Sequence, residues 1–530
     1  MVSFNPGMSV KIIEALQNAG FSAEWVGGCV RDYVMGRKPH DYDIATSATP
    51  EQMIDLLSPV AKEIIPTGIK HGTITVVMKD GASYEVTTYR IDGKYSDGRH
   101  PDDVTFTASL KEDLARRDFT INAMAMRWPS MEIVDPFGGQ KDCGMSFLDS
   151  RLRCVGNPYE RFKEDPLRIL RGVRFTAQLG LMGADEQTWI AMNGLAPLLK
   201  TISAERISSE LSKILLSGSP VMLLDVPDVL FEIIPELKPM FQFKQNNPYH
   251  AFTVYRHTAM ALNALQENLP SHPDFDKLTV ALALLLHDTG KPESYTTEFK
   301  ENGETRGHFY GHEERSEEIA RTVLTRLRFP TKVVNDVCEL ILAHNATILP
   351  KEKLIRRLMN KHGIIQTKHL LYHNLCDTIG RGSGTLRWDE CVQEAREAIE
   401  LFEDMLTRPQ TFSVKDLAIS GHDLLEMGVP QGKMIGQILN QCLSKVIDDK
   451  IPNDKEYLLH EAGCIAEDLM MVRDQCCCVC KHFTWFMGSA GICNANDGCA
   501  CTRMRDCMDV CNCGKFEESL IQQSEETESL

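Results

Sequence analysis

The chain has no long hydrophobic run. Its longest apolar stretch, Val280 to Leu286, is far short of the ~20 residues that a membrane-spanning helix needs. Met1 to Phe21 lacks a basic start followed by an apolar block, so no secretory signal is read there and the cytoplasm is the expected location. No internal repeat is present. Positive charge is in deficit: 57 Lys and Arg stand against 74 Asp and Glu, a net charge of −17. That balance argues against indiscriminate binding of polyanions, but not against a nucleic-acid partner held on a local basic face.

One such face is visible. Arg151, Arg153, Arg161, Lys163, Arg168, Arg171 and Arg174 fall within a short span that carries only Glu160, Glu164 and Asp165 as acids. The arginines sit among apolar residues, which points to partial shelter rather than a fully solvated helix surface. Cysteine is also unevenly spread. Ten of the 18 cysteines lie between Cys476 and Cys513, and in a cytoplasmic chain a dense cluster favours metal over disulfides. The other eight read mostly as small core residues.

At 530 residues the chain exceeds one core, and at ~150 residues per domain three or four are expected. Residues 1–140 mix helices and strands. Val10 to Ala19 reads as an amphipathic helix, Ala23 to Val26 as a strand, Arg31 to Met35 as helix, and Tyr42 to Ala45 as a strand carrying an acidic pair. Thr49 caps a helix that has Pro50 at its first position. Ile74 to Met78 and Tyr84 to Arg90 alternate around Asp80-Gly81, a hairpin signal. Beyond Cys143 the period is helical almost throughout, as in Glu164 to Leu179, Ala204 to Leu216, Tyr255 to Leu265, Leu278 to His287, Glu313 to Leu327 and Cys391 to Leu406. The fold class is therefore an α/β head on a long all-α body. The expected divisions are 1–140, 141–248, 249–385, 386–470, a cysteine-rich 471–516, and an acidic tip at 517–530 that reads as disordered.

Three motifs carry chemistry. Gly27-Gly28-x-x-Arg31-Asp32 is followed by Asp41-x-Asp43. Two acids one residue apart on a strand share a face and suit Mg2+, which takes carboxylates together with a substrate's phosphates. The glycines let backbone approach a triphosphate closely. Second, Arg116-Arg117-Asp118 offers guanidinium groups suited to phosphate. Third, in Glu164-Asp165-Pro166-Leu167-Arg168 the three-residue spacing of Asp165 and Arg168 predicts one helix face. An ionised Asp only accepts hydrogen bonds and an Arg only donates them. Together they complement cytosine and adenine, whereas uracil and guanine would leave groups unpaired at ~1–3 kcal/mol per buried group. A helix salt bridge between the two is the plainer alternative.

With Val26 to Asp32, Asp41-Tyr42-Asp43, Arg116 to Ala123, Asp135-Pro136-Phe137-Gly138-Gly139 and Glu164 to Phe175, the chain resembles class II tRNA nucleotidyltransferases (CCA-adding enzymes) and the related bacterial poly(A) polymerases. The resemblance runs from about Trp25 to Arg387. It implies a polymerase-β-like nucleotidyltransferase head, then a helical neck, body and tail that grip tRNA. It implies Asp41 and Asp43 as catalytic Mg2+ ligands, and Gly28, Arg31, Arg117, Arg171 and Arg174 as nucleotide contacts. Asp165 and Arg168 are implied as the protein template that selects CTP, then ATP. Glu85, on an expected strand, is a candidate third acid. Tyr95-Ser96-Asp97-Gly98-Arg99 resembles the family's flexible loop, which CC-only relatives tend to lack, and so favours full CCA addition; A-adding and poly(A) enzymes of the same family are the alternatives.

His287-Asp288 ends an apolar helix, with His257, His312, His344 and Asp377 around it in sequence. The set resembles the HD phosphohydrolase superfamily and implies a divalent metal site, with phosphohydrolase activity as a further possibility and a retained scaffold as the alternative. A hydrolase with a head reduced to RNA binding is the competing reading of the whole chain. At the C-terminal end, Cys477, Cys480, Cys499, Cys501, Cys511 and Cys513 are candidate Zn2+ ligands, with His482 as a spare. Iron–sulfur ligation is the less favoured option. This segment departs from the family pattern.

Overall fold

A computed structural model describes residues 4–93, 95, 98, 101, 103–144, 150–270, 275–299, 305–474, 483–486, 490–493 and 500–501, the side chains of 305 and of those beyond 469 excepted. It divides into two compact units, Met1–Thr347 with Lys368–Arg396, and Ile348–Thr367 with Glu397–Leu530.

The first unit begins with helix α1 (Ser9–Asn18), whose Ile12, Ile13 and Leu16 are fully buried. Strand β1 (Ala23–Val26) is buried along its whole length, and Trp25 donates its indole N–H to Ser9 Oγ at 2.9 Å. Then follow α2 (Gly28–Val34), β2 (Ile44–Thr46), α3 (Pro50–Leu57), β3 (Ala61–Gly68), β4 (Thr73–Met78), β5 (Ser83–Thr88), β6 (Arg90–Asp92), β7 (Val104–Phe106), α4 (Leu110–Ala115), β8 (Ala125–Arg127), β9 (Ile133–Val134) and α5 (Gly139–Cys143). Seven of the strands form one sheet in the order β3-β4-β5-β2-β1-β8-β9. Only β2 and β5 run parallel. The sheet packs on a core that includes Val26, Ala45, Tyr89, Leu114 and Ala125.

Local chemistry accounts for much of this. Thr49 and Gln52 form a reciprocal capping box ahead of Pro50, which satisfies helix-terminal N–H groups. The β4–β5 hairpin turns at Gly81, with φ +88°, where Asp80 accepts from the Ala82 N–H at 3.0 Å. Two expectations are corrected. The acidic pair does not lie on a strand, because β2 starts at Ile44. The Asp43 carbonyl still accepts from the Val26 N–H at 3.0 Å, so Asp43 stands where the ladder ends. The helix expected from Glu164 to Leu179 is two helices, α6 (Pro158–Glu164) and α7 (Leu167–Leu179). Asp165 between them is extended, φ −141° and ψ 100°, because a residue before proline is pushed out of the helical region. Asp165 and Arg168 therefore do not share one helix face.

The remainder of this unit is mostly helical: α8 (Glu186–Gly194), α9 (Ala204–Leu215), α10 (Pro227–Ile233), α11 (Val254–Glu267), α12 (Lys277–Leu286), α13 (His312–Arg326) and α14 (Thr331–Ala343). A hairpin of β10 (Thr296–Phe299) and β11 (Thr305–His308) interrupts them; the helical pattern alone did not predict it. Helix α15 (Glu352–Gly380) belongs to both units and leaves helical geometry at Gly363, φ +75°. Helix α16 (Trp388–Leu406) follows.

In the second unit α17 (Gly421–Glu426), α18 (Lys433–Ile447) and α19 (Lys455–Asp474) pack around Leu424, Ile438, Leu443, Leu458 and Ala462. Arg357 donates to Asp448 at 2.7 Å within it. Among the described residues no helix is long and apolar enough to cross a membrane. Cys477, Cys480, Cys499, Cys511, Cys513 and the acidic tip lie outside the described residues, and of Cys501 only the backbone, at the end of a short strand, is described.

Candidate nucleotide cleft and metal pocket

The turn between β1 and α2 starts the first site. Gly27 has φ +74°, and a Cβ there would meet Arg117 Nη1 at 2.9 Å, so a side chain would be strained by the backbone and would displace the tip of Arg117. Arg31, one turn into α2, donates to Asp32 Oδ1 at 2.9 and 2.7 Å and to Asn122 Oδ1 at 2.7 Å. Arg116 and Arg117 leave α4 and both pair with the fully buried Asp113, at 2.8 and 3.4 Å.

The neck supplies the other wall. Asp165 accepts from the Leu167 N–H at 3.1 Å and from Arg206 Nη2 at 3.2 and 2.9 Å through its two oxygens. Arg168 pairs with Glu164 at 2.6 Å and also donates to the Arg161 carbonyl at 3.2 Å. The helix salt bridge between Asp165 and Arg168 is therefore not formed; each has another partner. Arg171 donates to Asp118 at 2.9 and 2.6 Å. Burial pushes the Asp118 carboxyl up, but the Arg171 guanidinium and its hydrogen bonds prevail and hold it at about 2. Arg174 pairs with Glu210 at 3.2 Å. The guanidinium groups of Arg31, Arg171 and Arg174 sit 5.4, 5.4 and 4.4 Å from the centre of one ring, Phe175, within cation–π range.

Together these form a cleft of about 470 Å³ lined by Gly27, Gly28, Arg31, Asp43, Arg116, Arg117, Asp118, Asn122, Asp165, Leu167, Arg168, Arg171, Phe175 and Arg206. Three early motifs and the neck thus meet in one place. Arg174 is not among the lining side chains. Asp43 is also a wall of an adjoining cleft of about 570 Å³ that holds Asp41 and Glu85. Burial first, then Glu85 and Asp41, push the Asp43 carboxyl up, with Arg117 opposing. None of these three carboxylates makes an ion pair among the described residues, so a divalent cation would relieve their repulsion. Tyr95 reaches this region: its hydroxyl donates to Asp92 at 2.7 Å and its ring lies 5.9 Å from the Arg168 guanidinium. Ser96, Asp97 and Arg99 lie outside the described residues. Arg206, Glu210 and Phe175 had no assigned role in the expected site, since their partners lie 36 and 41 residues away or arise from packing; Asp118, the acid expected beside a sugar hydroxyl, is paired with Arg171 instead.

The second site lies among α11 to α15. His257, His287, Asp288, His312, His344 and Asp377 are all buried. They form two candidate ligand groups, His257 with His287 and Asp377, and Asp288 with His312 and His344, each with its donor atoms within 4.8 Å of one another. The Asp288 oxygens have no aligned hydrogen-bond donor, although Lys291 Nζ is 2.7 Å from Oδ2. Orphaned buried carboxylate oxygens beside imidazole nitrogens are the donor set of a metal site. Burial disfavours the charged form of His287, but Asp288 and Asp377 outweigh it and raise this imidazole to about 10; a cation at the same place would supply that positive charge instead. The pocket, about 280 Å³, is also lined by Lys291, Arg306 and Arg381. His373 touches the rings of His287 and His344, 5.3 and 5.9 Å between centres, and was not anticipated.

Family models agree with this layout. A poly A polymerase head domain matches residues 23–148, an HD domain 249–371, and a tRNA nucleotidyltransferase domain 2 residues 311–462. The CCA-adding enzyme of Lactiplantibacillus plantarum is 33% identical over 465 residues, 86% of this chain and 95% of that one. The enzyme of the same name from Levilactobacillus brevis is 30% identical over 455 residues, 85% of this chain and 96% of that one. The structure of the Bacillus stearothermophilus CCA-adding enzyme in complex with CTP is similar with a TM-score of 0.60 and 26% identity, covering 89% of this chain and 99% of that chain. With the glycine turn, Asp43 and the arginine-lined neck in one cleft, and relatives matched over nearly their full length, the chain belongs to the family of CCA-adding tRNA nucleotidyltransferases.

Proposed function

We propose that the protein adds C, C and A to the 3′ end of tRNA from CTP and ATP without a nucleic-acid template. The observation that carries this is the single cleft in which Asp43, the base-complementary Asp165 and Arg168, and the guanidinium groups of Arg31, Arg117 and Arg171 face one volume.

In that cleft Arg31, Arg117 and Arg171 offset the charge of a nucleoside triphosphate, and Gly27 and Gly28 let its phosphates lie against backbone. Arg174, behind the cleft, positions Arg171 and Arg31 through the shared Phe175 ring. Asp165 accepts from the exocyclic amine of cytosine or adenine, and Arg168 donates to the neighbouring ring nitrogen. Arg206 and Glu164 hold these two side chains in place. The RNA 3′ hydroxyl attacks the α-phosphorus in line, and pyrophosphate leaves. Asp41 and Asp43, with Glu85 beside them, would hold Mg2+, which when bound lowers the charge on the attacking and leaving oxygens.

We further propose that the HD pocket binds a divalent metal and cleaves phosphate esters, a reading supported by the Asp288 oxygens, which no aligned hydrogen-bond donor satisfies, and by Lys291, Arg306 and Arg381 in the lining. The C-terminal cysteines are proposed as a small Zn2+ module.

The test is incubation with tRNA ending at the discriminator base and CTP, ATP, or both. The proposal expects two C residues with CTP and CCA with both. Addition of A alone, or of a long A tract, would point to the A-adding or poly(A) alternatives. Phosphate release without nucleotide addition would favour the hydrolase.

A further inference from the structure

Asp41 and Asp43 lie where the backbone gives them little support. Residues 37–43 have no regular secondary structure, and the sheet takes the chain up only at Ile44. Two carboxylates that are to share a cation need fixed positions, so something other than the ladder must hold them. Tyr42, between them, is the side chain available for that. Its ring meets the ring of Phe4 edge to face, with centres 5.1 Å apart and planes at 84°. Phe4 also packs edge to face on Trp25 and Tyr33, at 5.1 and 5.3 Å, the arrangement that aromatic pairs prefer. Trp25 belongs to β1 and Tyr33 to α2. One ring thus ties the acidic segment to the two elements on either side of the glycine turn.

The residues after Phe4 do the same for the third acid. Gly7 has φ +55°, and a Cβ there would stand 3.2 Å from the Tyr84 hydroxyl. Gly7 therefore lies against the residue that precedes Glu85 on β5. The N–H of Asn5 faces the Tyr42 hydroxyl, and those of Met8 and Ser9 face the Tyr84 hydroxyl. The segment is itself held at its far end, where Ser9 donates its hydroxyl to the Pro6 carbonyl at 2.6 Å and accepts from the Trp25 indole at 2.9 Å. Asn5, Pro6 and Gly7 then form one wall of the cleft that contains Asp41, Asp43 and Glu85.

We propose that Phe4 to Gly7 form a strap that positions the acids of the nucleotidyl-transfer centre, with Phe4, Tyr42 and Tyr84 as its positioning residues. They act through Asp41, Asp43 and Glu85, fixing the distances at which these carboxylates would take Mg2+. The proposal rests on the nucleotide-addition reading of the cleft and adds the element that holds its acids.

The test uses the full chain with Phe4→Ala, and with Phe4→Tyr as the variant that restores the ring. Hydrogen exchange is measured first, without metal or nucleotide. In Phe4→Ala the amides of residues 40–46 and 82–86 should exchange faster, while those of α7 keep the wild-type rate. With tRNA and CTP, kcat should fall and the half-saturating Mg2+ concentration should rise, each about tenfold. KM for CTP and the preference for CTP over UTP should stay within about twofold, because Asp165 and Arg168 are untouched. Phe4→Tyr should restore exchange and kinetics together. If Phe4→Ala does not fold, Tyr84→Phe, which removes one hydroxyl and keeps the ring, should give the faster exchange near Glu85 and the higher Mg2+ requirement. Exchange that rises evenly through the head, or an unchanged Mg2+ requirement, overturns the strap and leaves Phe4 a role in the fold alone. A wild type that adds no nucleotide overturns the nucleotide-addition reading, and exchange then decides the strap by itself.

Discussion

Arg206 reaches Asp165 across 41 residues, with one nitrogen 3.2 and 2.9 Å from its two oxygens. It fixes the carboxylate proposed to bind the base, away from the reacting phosphorus. Arg206→Ala should therefore raise KM for CTP and ATP about tenfold, the scale of one charge-assisted hydrogen bond, with a smaller fall in kcat; steady-state kinetics checks the split. Asp43 behaves differently. Burial, Glu85 and Asp41 raise its carboxyl, so it stays neutral to a higher pH than a free aspartate. Its ionised form, needed to hold a cation, is present at higher pH and is lost as the pH falls. The acid limb of the nucleotide-addition rate should move to lower pH in Glu85→Gln, and an unmoved limb would contradict the coupling. The residue types were legible in the sequence, because Asp-x-Asp, paired arginines and Asp165/Arg168 each carry a chemistry. Their partners were not. Arg206 and Glu210 acquire roles only when the neck helices fold against each other, and no local spacing encodes that.

At the scale of elements, periodicity predicted the helices well. α12 was expected at Leu278 to His287 and runs Lys277–Leu286; α9 was expected at Ala204 to Leu216 and runs Ala204–Leu215. The break before α7 was encoded by Pro166 and overridden by the apolar period on either side of it. The acidic pair was placed on β2 from its alternation, but the strand pairs only from Ile44. Glycines test the packing of the head. A Cβ on Gly139 would stand 2.3 Å from the Thr120 carbonyl oxygen, whereas one on the exposed Gly218 meets nothing within 4 Å. Gly139→Ala should cost ~1–3 kcal/mol through forced backbone movement, seen as a lower midpoint in urea unfolding. Gly218→Ala should change it little. Equal effects would show that the contact between α5 and the Thr120 turn does not constrain the head.

At the scale of the molecule, the two candidate sites of the first unit are separate. The cleft at the head and neck and the pocket of α11 to α15 share no lining residue. His287→Ala should therefore leave the nucleotide-addition rate within about twofold while abolishing metal uptake by the HD pocket. Loss of addition with an unchanged melting profile would mean the two sites are coupled. Both sites were readable from motif spacing; the union of head and neck into one cleft was a wager on geometry. It is tested most directly by the discrimination between CTP and UTP, as the ratio of their kcat/KM values, in wild type and Asp165→Ala. If Asp165 reads the base beside Asp43, the preference for CTP should fall by about tenfold or more, while the rate with CTP falls less. If the rates with CTP and UTP fall together and their ratio stays at the wild-type value, Asp165 does not read the base and the account of the cleft fails.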